Sequence, residues 1–188
     1  MSDKRTYSSA VAHNSSRYEA IWSSGKTIDT AEIILEEASA HSCTLQRIVA
    51  VYREFDNAEM CMDVRGHWSR IADYSFRLFD KHFMGCAIGR LDVVGGPHDN
   101  IGMNFPLKSV RVNTPHFHKF NTFGFEYAYR TQVIEEHESS IRGDRSFGLK
   151  CFLDEENIAY SGQVKLTNNS LLQPANDKPE DPLRGEDF

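Results

Sequence analysis

The chain has 188 residues, a net charge of −6, 40% apolar and 26% charged residues. That is the balance of one ordinary globular domain, which excludes wholesale disorder, and no apolar run approaches the roughly 20 residues of a membrane helix. The acidic balance excludes a protein that coats nucleic acid through overall positive charge, though not a local basic site.

The polar stretch 1–24 lacks the apolar core of a secretory signal, so the expected location is the cytoplasm. Cys43, Cys61, Cys86 and Cys151 are scattered and form no CxxC, so they are expected to be reduced, buried and small rather than disulfides or zinc ligands. Residues 1–26, rich in Ser, Lys, Arg and Asn, are expected to form a flexible arm. Residues 27–166 are expected to form a single domain. Residues 167–188, with Pro174, Pro179 and Pro182 among Asn, Asp and Glu, read as a mobile acidic tail. There is no internal repeat.

Ala31, Ile34, Leu35 and Ala38 follow a helical stripe, and Asp29 with Glu32 resembles a capping box, so a first helix is expected there. Residues 45–52 are apolar and β-branched. Met60, Met62 and Val64 then alternate with polar neighbours, and Asp56-Asn57 supplies turn chemistry, which predicts a hairpin. Met60 and Met62 belong in its core. Residues 68–84 fit a helix or a strand equally. Residues 86–94 read as a strand ended by Gly95-Gly96-Pro97. Residues 116–120 and 123–129 read as strands joined by a tight return at 121–124. Phe147, Cys151, Phe152 and Glu155 predict a helix over 144–156. The expected fold is α+β, an antiparallel sheet with helices packed on one side.

Chemistry candidates concentrate between Arg90 and Arg130. His98 and His116 each follow a proline, and His118 completes a His-x-His pair whose rings share one face of a strand. Between Asp99 and Glu126 there is no acidic residue, while Lys108, Arg111, His116, His118 and Lys119 lie inside that window. Such a window is a candidate anion site.

One reading is metal-independent RNA cleavage. It needs an acid and a base, roles that suit histidine, and cations for the phosphate, which Arg90, Lys108, Arg111, Lys119 or Arg130 would supply. Phe117, Phe120 and Tyr127 would stack on bases. This reading needs no cofactor. A second reading is a non-catalytic interaction subunit working through its arm and acidic tail. A third is a metal-dependent hydrolase with His98, His116 and His118 as ligands and Asp92 or Asp99 joining or orienting them. A cupin-like site also wants a glutamate soon after the His-x-His pair, and Glu126 lies too far along. His13, His41, His67, His82 and His137 lack this context and read as solvated or structural; Glu135, Glu136 and Glu138 read as a solvated face.

The segments Arg90-Leu91-Asp92, Gly95, Pro97-His98 and Asn100, followed by Pro115-His116-Phe117-His118, resemble a family of small bacterial proteins of unknown function with an RLDxxGxPHxN…PHxH signature. More distantly they resemble RNase-fold toxins of toxin–antitoxin pairs. The chain departs from the family where Ile101-Gly102 follows Asn100 and where Phe120 stands in place of a tyrosine. The resemblance implies a compact RNase-like α+β fold and a shared site more than a reaction. With the histidines in their basic window, it makes a toxin or phage-defence ribonuclease the leading expectation, with His98 and His118 as the acid–base pair, His116 assisting, RNA as substrate, and a cognate antitoxin or partner protein.

Overall fold

The computed structural model describes residues 6–38, 43–100, 110–160 and 162. In chain order come α1 (Ser9–His13), α2 (Ser15–Ser23), β1 (Lys26–Ile28), β2 (Glu36–Glu37), β3 (Thr44–Arg53), β4 (Glu59–His67), β5 (Tyr74–Phe79), β6 (Gly89–Asp92), β7 (His98–Asp99), β8 (Arg111–Val112), β9 (His116–Phe120), β10 (Glu126–Tyr129), α3 (Gln132–Gly143), α4 (Arg145–Glu155) and β11 (Ile158–Tyr160). The fold is α+β. The main sheet runs β10-β9-β6-β5-β4-β3-β1-β11, with β2 also on β3, and β7 and β8 form a separate ribbon. The β1–β11 pair is parallel and the other pairs are antiparallel.

Alternation builds the core. Tyr74, Phe76 and Leu78 of β5 and Leu91 of β6 turn one way and are buried, joined by Val49, Val51, Met60, Met62 and Val64. Helices α3 and α4 pack on that face: the Phe76 and Phe152 rings lie 5.5 Å apart, and the Tyr74 hydroxyl donates to the Ile141 carbonyl. Helix α4 has Gly148 where it crosses Tyr74, since a Cβ there would overlap the ring. Residues 68–84 resolve into strand β5 and a 3-10 turn at Lys81–Phe83.

The β3–β4 hairpin pairs from Thr44↔His67 to Tyr52↔Glu59, with Asn57 in the left-handed region at φ 50°, as the turn chemistry requires. The β9–β10 return closes at Gly124, whose φ of 80° and close approach to the Ser8 carbonyl leave no room for a side chain. Cys43, Cys61, Cys86 and Cys151 are all unpaired.

Cys43, Cys61 and Cys86 are half-buried rather than buried as expected, and two further expectations fail. Residues 31–38 form no helix: Ile33 and Leu35 are buried while Ile34 is 41% exposed, a period of two that leads into β2. The helical stripe was coincident with a strand-like one, and tertiary burial chose the latter. Residues 6–26 are not a loose arm. They form α1 and α2, and Val11, Tyr18 and Ile21 are buried. The Tyr18 hydroxyl donates to the Ile88 carbonyl at 2.8 Å and accepts from the Phe120 amide at 2.9 Å. The polar composition concealed these few anchors. Lys26 belongs to β1, so the folded unit begins well before residue 27. Residues 1–5 of the expected arm and the whole expected tail, 167–188, lie outside the described residues.

Candidate functional site

Strands β5, β6 and β9 turn their second set of side chains to the face opposite α3 and α4. In register, Asp92 faces His116 and Arg90 faces His118 across β6 and β9. Ala128 of β10 lies beside His118 on the other flank. His116 and His118 therefore share a face, as their spacing predicts, and Asp92 joins them there.

Their ligand-capable atoms all lie within 4.8 Å of one another. The His116 and His118 ring centroids are 4.6 Å apart. His118 Nε2 stands 3.3 Å from Asp92 Oδ2, though not aligned as a hydrogen bond. His118 Nε2 and His116 Nδ1 are buried and have no hydrogen-bond partner. Each ring is 3% exposed, so bulk water does not satisfy these nitrogens.

His98 arrives from β7. Its ring centroid is 4.9 Å from His118 and 6.2 Å from His116. The three histidines thus converge from positions separated by a long connection. The side chain of Asn100 makes that possible: its amide donates to the Ala128 carbonyl at 2.8 Å and its carbonyl accepts from the Ala128 amide at 2.9 Å. This docks the β7 ribbon beside β10 and carries His98 over the His pair.

Arg90 and Glu126 complete the surroundings. Arg90 Nε lies 3.1 Å from Asp92 Oδ2, and its Nη2 lies 3.5 Å from Glu126 Oε2 and 3.0 Å from His118 Nδ1. Glu126 Oε2 is 3.7 Å from the same Nδ1. The sequence distance that set Glu126 apart is undone by the β9–β10 hairpin.

Burial, and then the neighbouring His118, pull the His116 pKa down to about 4; the same two causes lower His98. Burial pushes Asp92 upward, but the His118 contact and the Arg90 charge outweigh it and hold its carboxyl below the usual range. At neutral pH the site therefore presents neutral imidazoles at His98 and His116 and a charged carboxylate.

The cations expected to hold phosphate do not assemble here. Lys119 points to the other sheet face, where its Nζ lies 3.8 Å from the Trp22 ring centroid. Arg111 pairs with Asp99 at 3.2 Å in an exposed position. Arg130 pairs with Glu138 at 2.7 Å. Of that set only Arg90 reaches the histidines, and Lys108 lies outside the described residues. Phe117 and Phe120 are 1% exposed and belong to the core, so they offer no stacking surface.

Two positioning groups escaped sequence reasoning. Arg142 of α3 donates to the Val93 carbonyl at 3.0 Å and the Thr114 carbonyl at 2.5 Å, tying the end of β6 to the approach to β9. Asn100 entered only as a letter in the family signature. Asp92 was already among the residues the sequence offered, and strand alternation sets it on one face with Arg90. Nothing local would have flagged Arg142.

Comparisons with protein-family models, with curated proteins and with solved structures found no match.

Proposed function

We propose that the chain is a metal-dependent enzyme whose divalent ion is held by Asp92, His116 and His118. One observation carries this reading: His116 and His118, each with a buried ring nitrogen that makes no hydrogen bond (Nδ1 and Nε2), bring ligand-capable atoms within 4.8 Å of the Asp92 carboxylate. An unsatisfied buried polar atom costs about 1–3 kcal/mol, and a bound cation would offset that cost for both rings. The 3.3 Å between His118 Nε2 and Asp92 Oδ2 matches the roughly 3.0–3.4 Å between two atoms that share an ion at metal–ligand bonds near 2.1 Å. Two imidazoles and one carboxylate suit zinc or ferrous iron and leave coordination positions open for substrate.

In that arrangement the ion supplies Lewis acidity for a hydrolytic or related reaction. Arg90 Nη2, a donor only, bonds His118 Nδ1 and so puts the ring proton on Nε2; with an ion bound there, that proton would move to Nδ1, toward Glu126 Oε2 at 3.7 Å, with Arg90 drawn onto Glu126 and Asp92. His98, neutral at pH 7, is close enough to serve as a proton acceptor for a molecule seated over His118.

The metal-independent ribonuclease is the second reading, favoured by the convergence of His98, His116 and His118. It is the weaker because His98 and His116 are both lowered, which suits bases and leaves the acid unassigned, and because Lys119, Arg111 and Arg130 are engaged elsewhere. The interaction-subunit reading depends on a tail outside the described residues.

Elemental analysis of untagged protein, followed by zinc, iron(II) and manganese titration of the chelator-stripped form, tests the proposal. About one ion per chain is expected, falling below about a tenth in His116→Ala and His118→Ala with the fold retained by circular dichroism. No saturable metal binding by the wild type overturns it. RNA cleavage in excess EDTA by the wild type and not by His118→Ala would select the second reading.

A further inference from the structure

Strand register extends the site sideways. On the same face, one cross-strand row runs Arg65, Ser75, Asp92, His116, and the next runs Asp63, Arg77, Arg90, His118. Beside Asp92 this face opens into a groove of about 400 Å³, lined among others by Arg65, Arg70, Ser75, Arg77 and Asp92. Asp92 thus belongs to both the groove and the histidine cluster.

Most charges in the groove are spoken for. Arg65 pairs with Asp63 at 2.7 Å and Arg70 with Asp73 at 2.6 Å. Arg90 is held between Asp92 and Glu126. Arg77 is different. It makes no hydrogen bond or ion pair among the described residues, and its Nε is a buried donor without a partner. It also stands directly opposite Arg90 on β6, a like-charge cross-strand pair that is unfavourable by itself. Its other cross-strand neighbour, Asp63, is taken by Arg65, so a half-buried guanidinium that makes no ion pair, beside a second one, is the arrangement that an incoming anion would stabilise.

Resting on the metal reading above, we infer that the groove is an oxyanion subsite. Arg77 receives the carboxylate or phosphate of a small-molecule substrate, whose reacting portion reaches the ion at Asp92, His116 and His118. The planar fork of Arg77 presents parallel donors to two oxygens of such a group. Its strand is the immediate neighbour of the one that carries Asp92, a spacing of about 4.8 Å. A substrate of a few carbon atoms spans from one to the other. The same geometry disfavours a neutral substrate, which would leave Arg77 unpaired.

The test is calorimetric titration with two probes, inorganic phosphate and succinate, on stripped and metal-loaded protein. The wild type is expected to bind at least one probe saturably, and which one identifies the anionic group. Arg77→Gln should weaken that binding by at least about tenfold, and Arg77→Lys by less, since charge is kept and the fork is lost. Arg47→Gln, an exposed cation paired with Glu36 and outside the groove, should leave it unchanged. Thermal melts of each variant check the fold, and Arg77→Lys serves if Arg77→Gln does not fold. No saturable binding of either probe, or equal binding by wild type and the Arg77 variants, overturns the inference. Probe binding lost in the Arg77 variants of a protein that takes up no metal would keep the subsite and remove the metal reading. Metal uptake without probe binding would do the reverse.

Discussion

The side-chain amide of Asn100 bonds both backbone groups of Ala128, donating at 2.8 Å and accepting at 2.9 Å, and so stands in for a strand that the sheet lacks at that edge. Asn100 is 2% exposed, so neither bond is replaced by water when it is removed. Asn100→Ala should destabilise the protein by about 2–4 kcal/mol, since two buried backbone groups are orphaned. It should also release His98 from the cluster. Denaturant unfolding reads the first effect. The His98 ring signals in NMR, which should lose their dependence on added metal, read the second.

Arg142 acts on the site from a different layer. Its guanidinium holds the carbonyls of Val93 and Thr114, which flank the strands that carry Asp92 and His116. Arg142→Lys should keep the charge and lose the two-carbonyl clamp. Metal affinity should fall by about 10–100-fold while all three ligands remain, the effect of disturbing a ligand's support. Competition with a chromophoric chelator measures it. An affinity within twofold of wild type would deny Arg142 this role.

Gly89 and Gly96 make a matched pair. A Cβ at Gly89 would fall 1.9 Å from Glu156 Oε1, while nothing lies within 4 Å of one at Gly96. Glu156 is fully buried, with its acidity weakened by burial and partly restored by Lys26, so its carboxyl would have to shift within the core. Gly89→Ala should therefore cost more than about 2 kcal/mol, whereas Gly96→Ala should lie within about 0.5 kcal/mol of wild type. Paired thermal melts decide it.

Acid should act on the metal-free protein through His116. Its folded pKa of about 4 lies below the ordinary histidine value of about 6.5. Between those values the unfolded chain binds the proton and the folded one does not, so stability falls as pH drops from about 6.5 towards 4. His116→Phe should flatten that part of the Tm-against-pH curve. The groups facing His116 are His118, Asp92 and His98, and the Asn113 backbone, so the same curve for His98→Ala separates their shares.

The β3–β4 hairpin, the β9–β10 pair and α4 were legible in the sequence because each announces itself within its own residues. Alternation marks the strands, helical spacing marks Phe147 to Glu155, and Asn57 marks a turn. The shared face of His116 and His118 follows from the same rule. What the sequence could not show is partnership. Whether Lys119 meets phosphate or Trp22 depends on which side of β9 faces the helices, and the three residues His118, Lys119 and Phe120 read much alike. The Ala31–Ala38 stripe failed because Ile33-Ile34-Leu35 satisfies two periods, and only the core decides between them. Asp92 and Glu126 reach His118 through strand pairing, which no local pattern encodes.

Strand β1 lies between β3 and β11, and its pairing with Ile158–Tyr160 is the parallel contact of the sheet. The ammonium of Lys26 is fully buried, and one of its three carbonyl acceptors is that of Glu156, at 2.8 Å, some 130 residues away. During synthesis that acceptor is the last to emerge. Until then the Lys26 ammonium lacks one of its acceptors and β1 lacks its neighbour on the β11 side. The two ends of the described chain complete each other, a contact of high sequence separation of the kind that slows folding.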